Sequence, residues 1–322
     1  MTKKGFGNVS EIAQLRVGQY RLQFEALEPL RLPNYSGSTW RGVFGHALKS
    51  LVCVTRQKSC EGCLLYRSCV YSYLFETPPP LGSEKLANYS AVPHPYLFTP
   101  SAESELQAGQ PYSLGLTLFG NGNRHLPYVI HALQQASKKG IGRDKGKLKL
   151  LSVSQQDEQQ HEQVIYQTGG ELHPLPPFLA RVPAVPQRLR INLKTPLRLR
   201  VNHQNIHPDQ LNFSHFFGSL MRRLSSLSYF HHDEVLELDF AALKKQAETV
   251  TFVASELSWH EWRRYSNRQN GWVPMGGVVG WFELESVHLA AFWPHLSLGE
   301  WAHNGKGSCM GLGRYELDVI EP

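Results

Sequence analysis

Gly305-Lys306-Gly307-Ser308-Cys309-Met310-Gly311-Leu312-Gly313-Arg314-Tyr315 sets four glycines and two cations just ahead of an alternating stretch (Tyr315, Leu317, Val319). Glycine admits positive φ and has no Cβ to hold a ligand away from the backbone. Successive amide N–H groups can then converge on one concavity, an arrangement suited to a phosphate chain. Lys306 and Arg314 add the charge. A glycine-rich turn between helix and strand is the simpler reading of the glycines alone. The cations, and an echo of the pattern earlier in the chain, turn the reading toward a loop that grips a polyanion backbone through Gly305, Lys306, Gly307, Ser308, Gly311, Gly313 and Arg314.

The echo is Gly140-Ile141-Gly142-Arg143-Asp144-Lys145-Gly146, and more of the chain repeats around it. Glu28-Pro29-Leu30-Arg31-Leu32 has its counterpart in Thr195-Pro196-Leu197-Arg198-Leu199. The apolar stripe Trp40, Val43, Phe44, Ala47, Leu48, Leu51 has one in Phe213, Phe216, Phe217, Leu220, Met221, Leu224, Leu227, both at helical spacing. In the first half, alternation predicts strands at Tyr20–Leu27, Ser113–Phe119 and Leu148–Val153, with a second helix over Leu126–Lys139. In the second half it predicts strands at Leu189–Leu193, Leu197–Val201, Val250–Val253 and Gly276–Leu284. A last helix is read over Val287–Trp301, and Asn270-Gly271 as a hairpin turn. Each half thus reads β-α-β-β-α-β, a ferredoxin-like unit. The expected class is α+β: two tandem ferredoxin-like (RRM-like) domains over 1–172 and 189–322, joined by a proline-rich linker over 173–188.

The 322 residues carry 33 Lys+Arg against 27 Asp+Glu, a net charge of +6, which favours an anionic partner. No apolar run is long enough to span a bilayer, and Met1-Thr2-Lys3-Lys4-Gly5 lacks a signal-peptide core, so a cytoplasmic protein without a membrane partner is expected.

The first helix, capped by Ser36 or Ser38, turns His46 and Lys49 well off its apolar stripe, together with Gly42. An imidazole, an amine and a residue that leaves room share that face. A solvated helix face is the alternative. Later, Trp259, Trp262, Arg263, Arg264, Tyr265, Arg268 and Trp272 interleave cations with aromatics, a pattern able to hold phosphates and stack bases. Here the tryptophans are read as core and the arginines as RNA contacts.

At these residues the chain resembles a known family. Arg41-Gly42-Val43-Phe44-Gly45-His46-Ala47-Leu48, Arg264-Tyr265-Ser266-Asn267-Arg268-Gln269 before Gly276-Gly277-Val278-Val279-Gly280, and the terminal glycine loop are similar to precursor-crRNA processing endoribonucleases of CRISPR systems, in the RAMP superfamily. The resemblance implies cleavage of CRISPR repeat RNA without a catalytic cofactor. The 2′-hydroxyl would attack the adjacent phosphate, leaving a 2′,3′-cyclic phosphate and a 5′-hydroxyl. It also implies partners: the repeat RNA or crRNA, and other subunits of an effector complex. That chemistry needs a base, an acid and positive charge on the phosphorane. His46 is the catalytic imidazole on this reading, Lys49 the charge, Tyr35 a group orienting the hydroxyl, and His303 the rival base. Arg41, Arg264, Tyr265 and Arg268 join the glycine loop as RNA contacts. A non-cleaving RAMP subunit that only binds guide RNA is the alternative.

Cys53, Cys60, Cys63 and Cys69 concentrate four of the five cysteines behind the first helix. Thiolates at this spacing suit a structural Zn²⁺, with Fe–S ligation as the minority alternative and buried thiols as the simplest reading.

Overall fold

The computed structural model describes residues 8–10, 14–80, 92–266, 270–285 and 289–320. They form two compact units. The first comprises Leu15–Leu179 with Phe230–Asp233, the second Met1–Gln14, Ala180–Tyr229 and Glu234–Pro322.

The first unit runs β1 (Arg16–Ala26), α1 (Gly37–Val52), β2 (Tyr96–Pro100), β3 (Pro111–Phe119), α2 (Leu126–Lys139), β4 (Leu148–Gln156) and β5 (Glu162–Gln167). Its antiparallel sheet has the order β2-β3-β1-β4-β5. Alternation explains β1: Tyr20, Leu22, Phe24 and Ala26 are buried while Arg21 faces water. Helix α1 buries Trp40, Phe44, Ala47 and Leu48 against that core. The Trp40 ring lies 5.3 Å from Phe24, and its Nε1 donates to the Tyr112 hydroxyl at 2.9 Å. Ser36 stands at the helix start, yet its hydroxyl meets Tyr112 at 3.2 Å and does not cap the backbone. Leu51, predicted for the apolar stripe, is exposed, because the core ends at Leu48.

In the second unit the succession is β6 (Arg188–Leu197), α3 (Phe213–His231), α4 (Phe240–Glu248), β7 (Ser255–His260), β8 (Arg263–Ser266), β9 (Gly271–Pro274), β10 (Gly277–Glu285), α5 (Trp293–Ala302) and β11 (Tyr315–Val319). Its antiparallel sheet has the order β7-β10-β6-β11. Setting aside β5 and the β8–β9 hairpin, each unit places its second strand beside the third, the third beside the first, and the first beside the fourth. Phe216 of α3 packs edge-on to Phe282 and Tyr315, locking that helix onto the sheet.

Three sequence expectations shift. The strands read on either side of Thr195-Pro196 divide differently: β6 runs through to Leu197, its pairing with β10 slipping between Leu193 and Leu197, and Arg200–Val201 pairs separately with Gln204–Asn205. Val250–Val253 is not a strand; the second-position strand starts at Ser255, where pairing with Phe282 begins. Helix α5 starts only at Trp293, with Pro294 inside its first turn, where a missing N–H costs nothing.

Candidate functional site

Two places in the chain hold the side chains singled out from sequence, one in each unit. On α1, the buried stripe fixes which side chains face water. Gly42, His46 and Ser50 are exposed at i, i+4 and i+8, and a Cβ at Gly42 would meet nothing within 4 Å. The imidazole therefore stands beside a position with no side chain, open to an incoming strand. Gly45 does the opposite. It is buried against the Phe75 ring, which a Cβ there would overlap, so the helix is seated tightly on one side and free on the other.

The neighbours named with His46 are more committed. Lys49 Nζ donates to the Lys58 carbonyl at 2.8 Å and lies 5.6 Å over the Tyr71 ring, so it ties the cysteine loop to the helix. Arg41 stacks 4.2 Å over Phe75 and donates to His94 at 3.2 Å. Tyr35 is half-buried, and burial pushes its phenol above the ordinary value.

All four cysteines of the loop line one small pocket, with Thr55 and Tyr66 among its walls. The expected zinc site is nonetheless unsupported: among the described residues no three His, Cys, Asp or Glu side chains are grouped to hold an ion. The Thr55 hydroxyl lies 3.7 Å from both Cys53 Sγ and Cys63 Sγ and occupies the approach between them. Cys53 is lowered below the usual thiol range by that hydroxyl, while burial pushes the Cys60 thiol up. The same finding leaves Fe–S ligation unsupported.

In the second unit the glycine loop is two structures in one. Its later half is core: Gly311, Leu312 and Gly313 are buried, and Gly313, at φ +66, has no room for a Cβ beneath the Asn304 carbonyl. Backbone N–H groups here are satisfied within the protein, Gly313 by Pro196 O at 3.1 Å and Arg314 by Thr195 Oγ1 at 2.9 Å. Its earlier half is different. Lys306 is exposed and Gly307 and Cys309 are partly so, while Ser308 is buried with its hydroxyl donating to the Gly305 carbonyl at 2.8 Å. The concavity anticipated for the whole loop is therefore confined to residues 305–309. Arg314, also exposed, pairs with Glu316 at 2.7 Å.

His303, the rival base, is a structural residue at the root of this loop. It is 3 % exposed, and burial, helped by Arg223 and Arg314, lowers its imidazole to about 3. Such a ring stays neutral at physiological pH and is shut off from substrate. Arg223 beside it donates to the Ala302 carbonyl at 2.6 Å, closing the end of α5.

Beside the loop stands the β8–β9 hairpin. Tyr265 is 49 % and Trp272 62 % exposed, their rings 5.8 Å apart and edge to face, with Arg263 5.2 Å over Trp272. Reading Trp272 as core was wrong: a two-stranded ribbon has no second layer to bury it. Trp259 is partly covered, stacked 4.3 Å on His207. Arg264 is half-buried, and Arg268 lies outside the described residues.

Sequence reading missed the residue that joins hairpin to loop. Arg198 donates through Nε to Gly276 O and through Nη2 to Pro274 O, both at 3.1 Å, and its carbonyl accepts the Lys306 N–H at 2.9 Å. Burial, Arg200 and Arg264 together lower its guanidinium, so three arginines crowd this face with only Glu261 opposing. The repeated Pro-Leu-Arg-Leu segment was the available signal.

Comparisons with known proteins divide along the same two halves of the chain. Residues 191–315 match the family described as CRISPR-associated endoribonuclease Cas6, and residues 15–177 match an N-terminal domain family, AF_1859_N. An uncharacterized protein of Archaeoglobus fulgidus is 27% identical over 124 residues, 38% of this chain; the alignment spans 41% of that relative's length. Among solved structures, a Cas6 product complex superposes with a TM-score of 0.59 at 15% identity, covering 94% of this chain and 100% of the other. A Thermus thermophilus Cas6 gives 0.54 at 15% identity, covering 95% and 100%. A partial Cas6-RT-Cas1–Cas2 complex gives 0.58 at 13% identity, covering 96% of this chain and 47% of the other. At such identities the superpositions establish a shared α+β fold. In sequence order, then, the first half of the chain matches the AF_1859_N domain family and the second half the CRISPR-associated endoribonuclease Cas6 family, on a fold shared with solved Cas6 proteins.

Proposed function

We propose that this chain is an endoribonuclease that cuts CRISPR repeat RNA within precursor transcripts, built on tandem ferredoxin-like units and needing no catalytic metal. One observation carries the reading: an exposed imidazole, His46, on a helix whose other face is locked into the core, beside an open glycine. The match of residues 191–315 to an endoribonuclease family supports giving that imidazole a reaction.

His46 takes the proton of the 2′-hydroxyl beside the scissile phosphate. The freed oxygen attacks phosphorus, and the 5′-oxygen departs as a hydroxyl, taking a proton from water, leaving a 2′,3′-cyclic phosphate. Tyr35, half-buried just before α1, orients the attacking hydroxyl. Lys49 has a reduced part, because its amine is engaged by the Lys58 carbonyl. On the second unit Lys306, the amides of Gly307 and Cys309 and the exposed Arg314 hold backbone phosphates, while Tyr265 and Trp272 offer stacking surfaces to unpaired bases. The cleaved crRNA stays bound, and other effector subunits, in the cytoplasm, receive it. No described helix is long and apolar enough to cross a membrane.

The test is labelled repeat RNA incubated with the protein in EDTA. Wild type should yield one cut per repeat with a cyclic phosphate end, and His46→Ala should slow it by roughly 10²–10⁴-fold at unchanged RNA affinity. Binding without cutting by the wild type would instead identify a guide-binding subunit.

A further inference from the structure

The repeat seen in the sequence has a structural counterpart that assigns a role to the first glycine loop. In the second unit Gly305, at φ +76, presses against the Pro-Leu-Arg-Leu segment: a Cβ there would come within 2.6 Å of Arg198 O and 3.1 Å of Leu199 Cδ2. In the first unit Gly142, at φ +77, meets the equivalent residues, with Arg31 O at 2.5 Å and Leu32 Cδ2 at 3.4 Å. Both loops follow the last helix of their unit and precede the strand that pairs with its first strand. The two are the same device, cradled by the same segment.

At the first loop the device is more open. Ile141 N donates to Gly146 O at 2.8 Å, closing the base, while the amides of Gly142, Arg143, Asp144 and Lys145 have no acceptor among the described residues. Arg143 and Lys145 are exposed at the tip, Lys138 and Lys139 on the last turn of α2, and Arg31 on the cradling segment. None of these five cations forms an ion pair among the described residues. The opposing groups are Asp144 in the loop, Glu105 across from Arg31 in the small β ladder, and Glu28, whose carboxylate accepts the Lys147 N–H. Lysines at a helix C-terminus also complement its dipole. That accounts for Lys138 and Lys139 and leaves Arg31, Arg143 and Lys145 without a structural reason.

We infer that Gly140–Gly146, with Arg31, Lys138, Lys139, Arg143 and Lys145, is a second site for the RNA phosphate backbone, separate from the terminal loop and from His46. The inference rests on the RNA-binding part of the function proposed above and does not depend on cleavage. This site holds a stretch of the same transcript by charge and backbone amides, without reading bases, so it adds affinity and not sequence preference.

The experiment measures binding of labelled single-repeat RNA with native flanks, in the His46→Ala background so that binding is read without cleavage. Removing four cations together (Lys138→Ala, Lys139→Ala, Arg143→Ala, Lys145→Ala) should weaken binding at least about tenfold at moderate salt. The slope of log affinity against log salt should become shallower by roughly 3, about 0.7 for each single-strand phosphate that is no longer neutralised. Thermal unfolding should be unchanged, since all four side chains are exposed. Asp144→Asn should tighten binding, an effect no unfolding can mimic. Unchanged affinity and slope in both variants would overturn the inference while leaving a cleaving wild type intact. Conversely, a wild type that never cuts, with the four-cation variant still weakened, would remove the nuclease reading and keep this site.

Discussion

The two glycine loops share a cradle and differ in depth. Gly305–Gly313 runs from an exposed lysine into the hydrophobic core and ends on a strand whose first residue, Tyr315, is buried. Gly140–Gly146 touches the core at Ile141 and Gly146 and otherwise stands in water. The longer loop is therefore part of its unit's stability as well as a binding element, whereas the shorter one is free to be altered. A glycine-rich loop can be conformationally demanding for two unrelated reasons, and only its surroundings tell which applies.

That contrast is most exposed to attack at Gly313. Gly313→Ala has to place a methyl under the Asn304 carbonyl at positive φ, and should cost about 3 kcal/mol, read as a large drop in Tm. Arg143→Ala in the other loop should leave Tm unchanged. If the two variants unfolded alike, the difference in depth would be illusory.

Acid sharpens the same point. His303 at the root of the terminal loop is lowered to about 3, and His295 in α5 to about 4, both by burial. In the unfolded chain these rings take up protons below about pH 6.5 while the folded ones stay neutral, so stability falls as pH drops from about 6.5 toward the folded values. Each should cost about 2 kcal/mol at pH 5. Glu300, raised to about 6 by burial, has the opposite sign and gives back about 1 kcal/mol over the same interval. Denaturant melts at pH 7 and pH 5 check this, and His303→Gln should remove part of the loss. The first loop has no buried imidazole, so its variants should not change the pH dependence.

A smaller effect comes from the clasp on the terminal loop. Thr195 Oγ1 donates to Gly311 O at 2.8 Å and accepts from Arg314 N at 2.9 Å. Thr195→Val leaves both backbone groups without that partner and should cost about 1 kcal/mol, with RNA affinity falling as Arg314 loosens. Loss of affinity with no loss of stability would mean the clasp serves binding alone.

Much of the frame was legible because it rests on local periodicity. The apolar stripe from Trp40 to Leu48 placed His46 in water, and α2 runs from Leu126 to Lys139 as its spacing indicates. Where reading failed, a distant contact decided. Leu51 has apolar spacing but nothing to cover it, and Trp272 sits on a ribbon with no layer behind it. Lys49 shares a helix face with His46, yet a carbonyl nine residues on has claimed its amine. His303, read as the rival base, proves sealed in beside the buried Asn304 and Gly313. The cysteine spacing suited a metal, and the loop's path set Thr55 between two of the thiols instead.

By itself the sequence determined the alternation of strands and helices, the repetition of one unit, and which helix face carries an imidazole, because these follow from side-chain spacing along a single element. Tertiary structure alone decided which glycines are core and which are accessible, that Arg198 links hairpin to loop, and that Gly142 meets Arg31 in the first unit as Gly305 meets Arg198 in the second. Those outcomes depend on which segments arrive beside each other, and the spacing within a segment does not encode its neighbours.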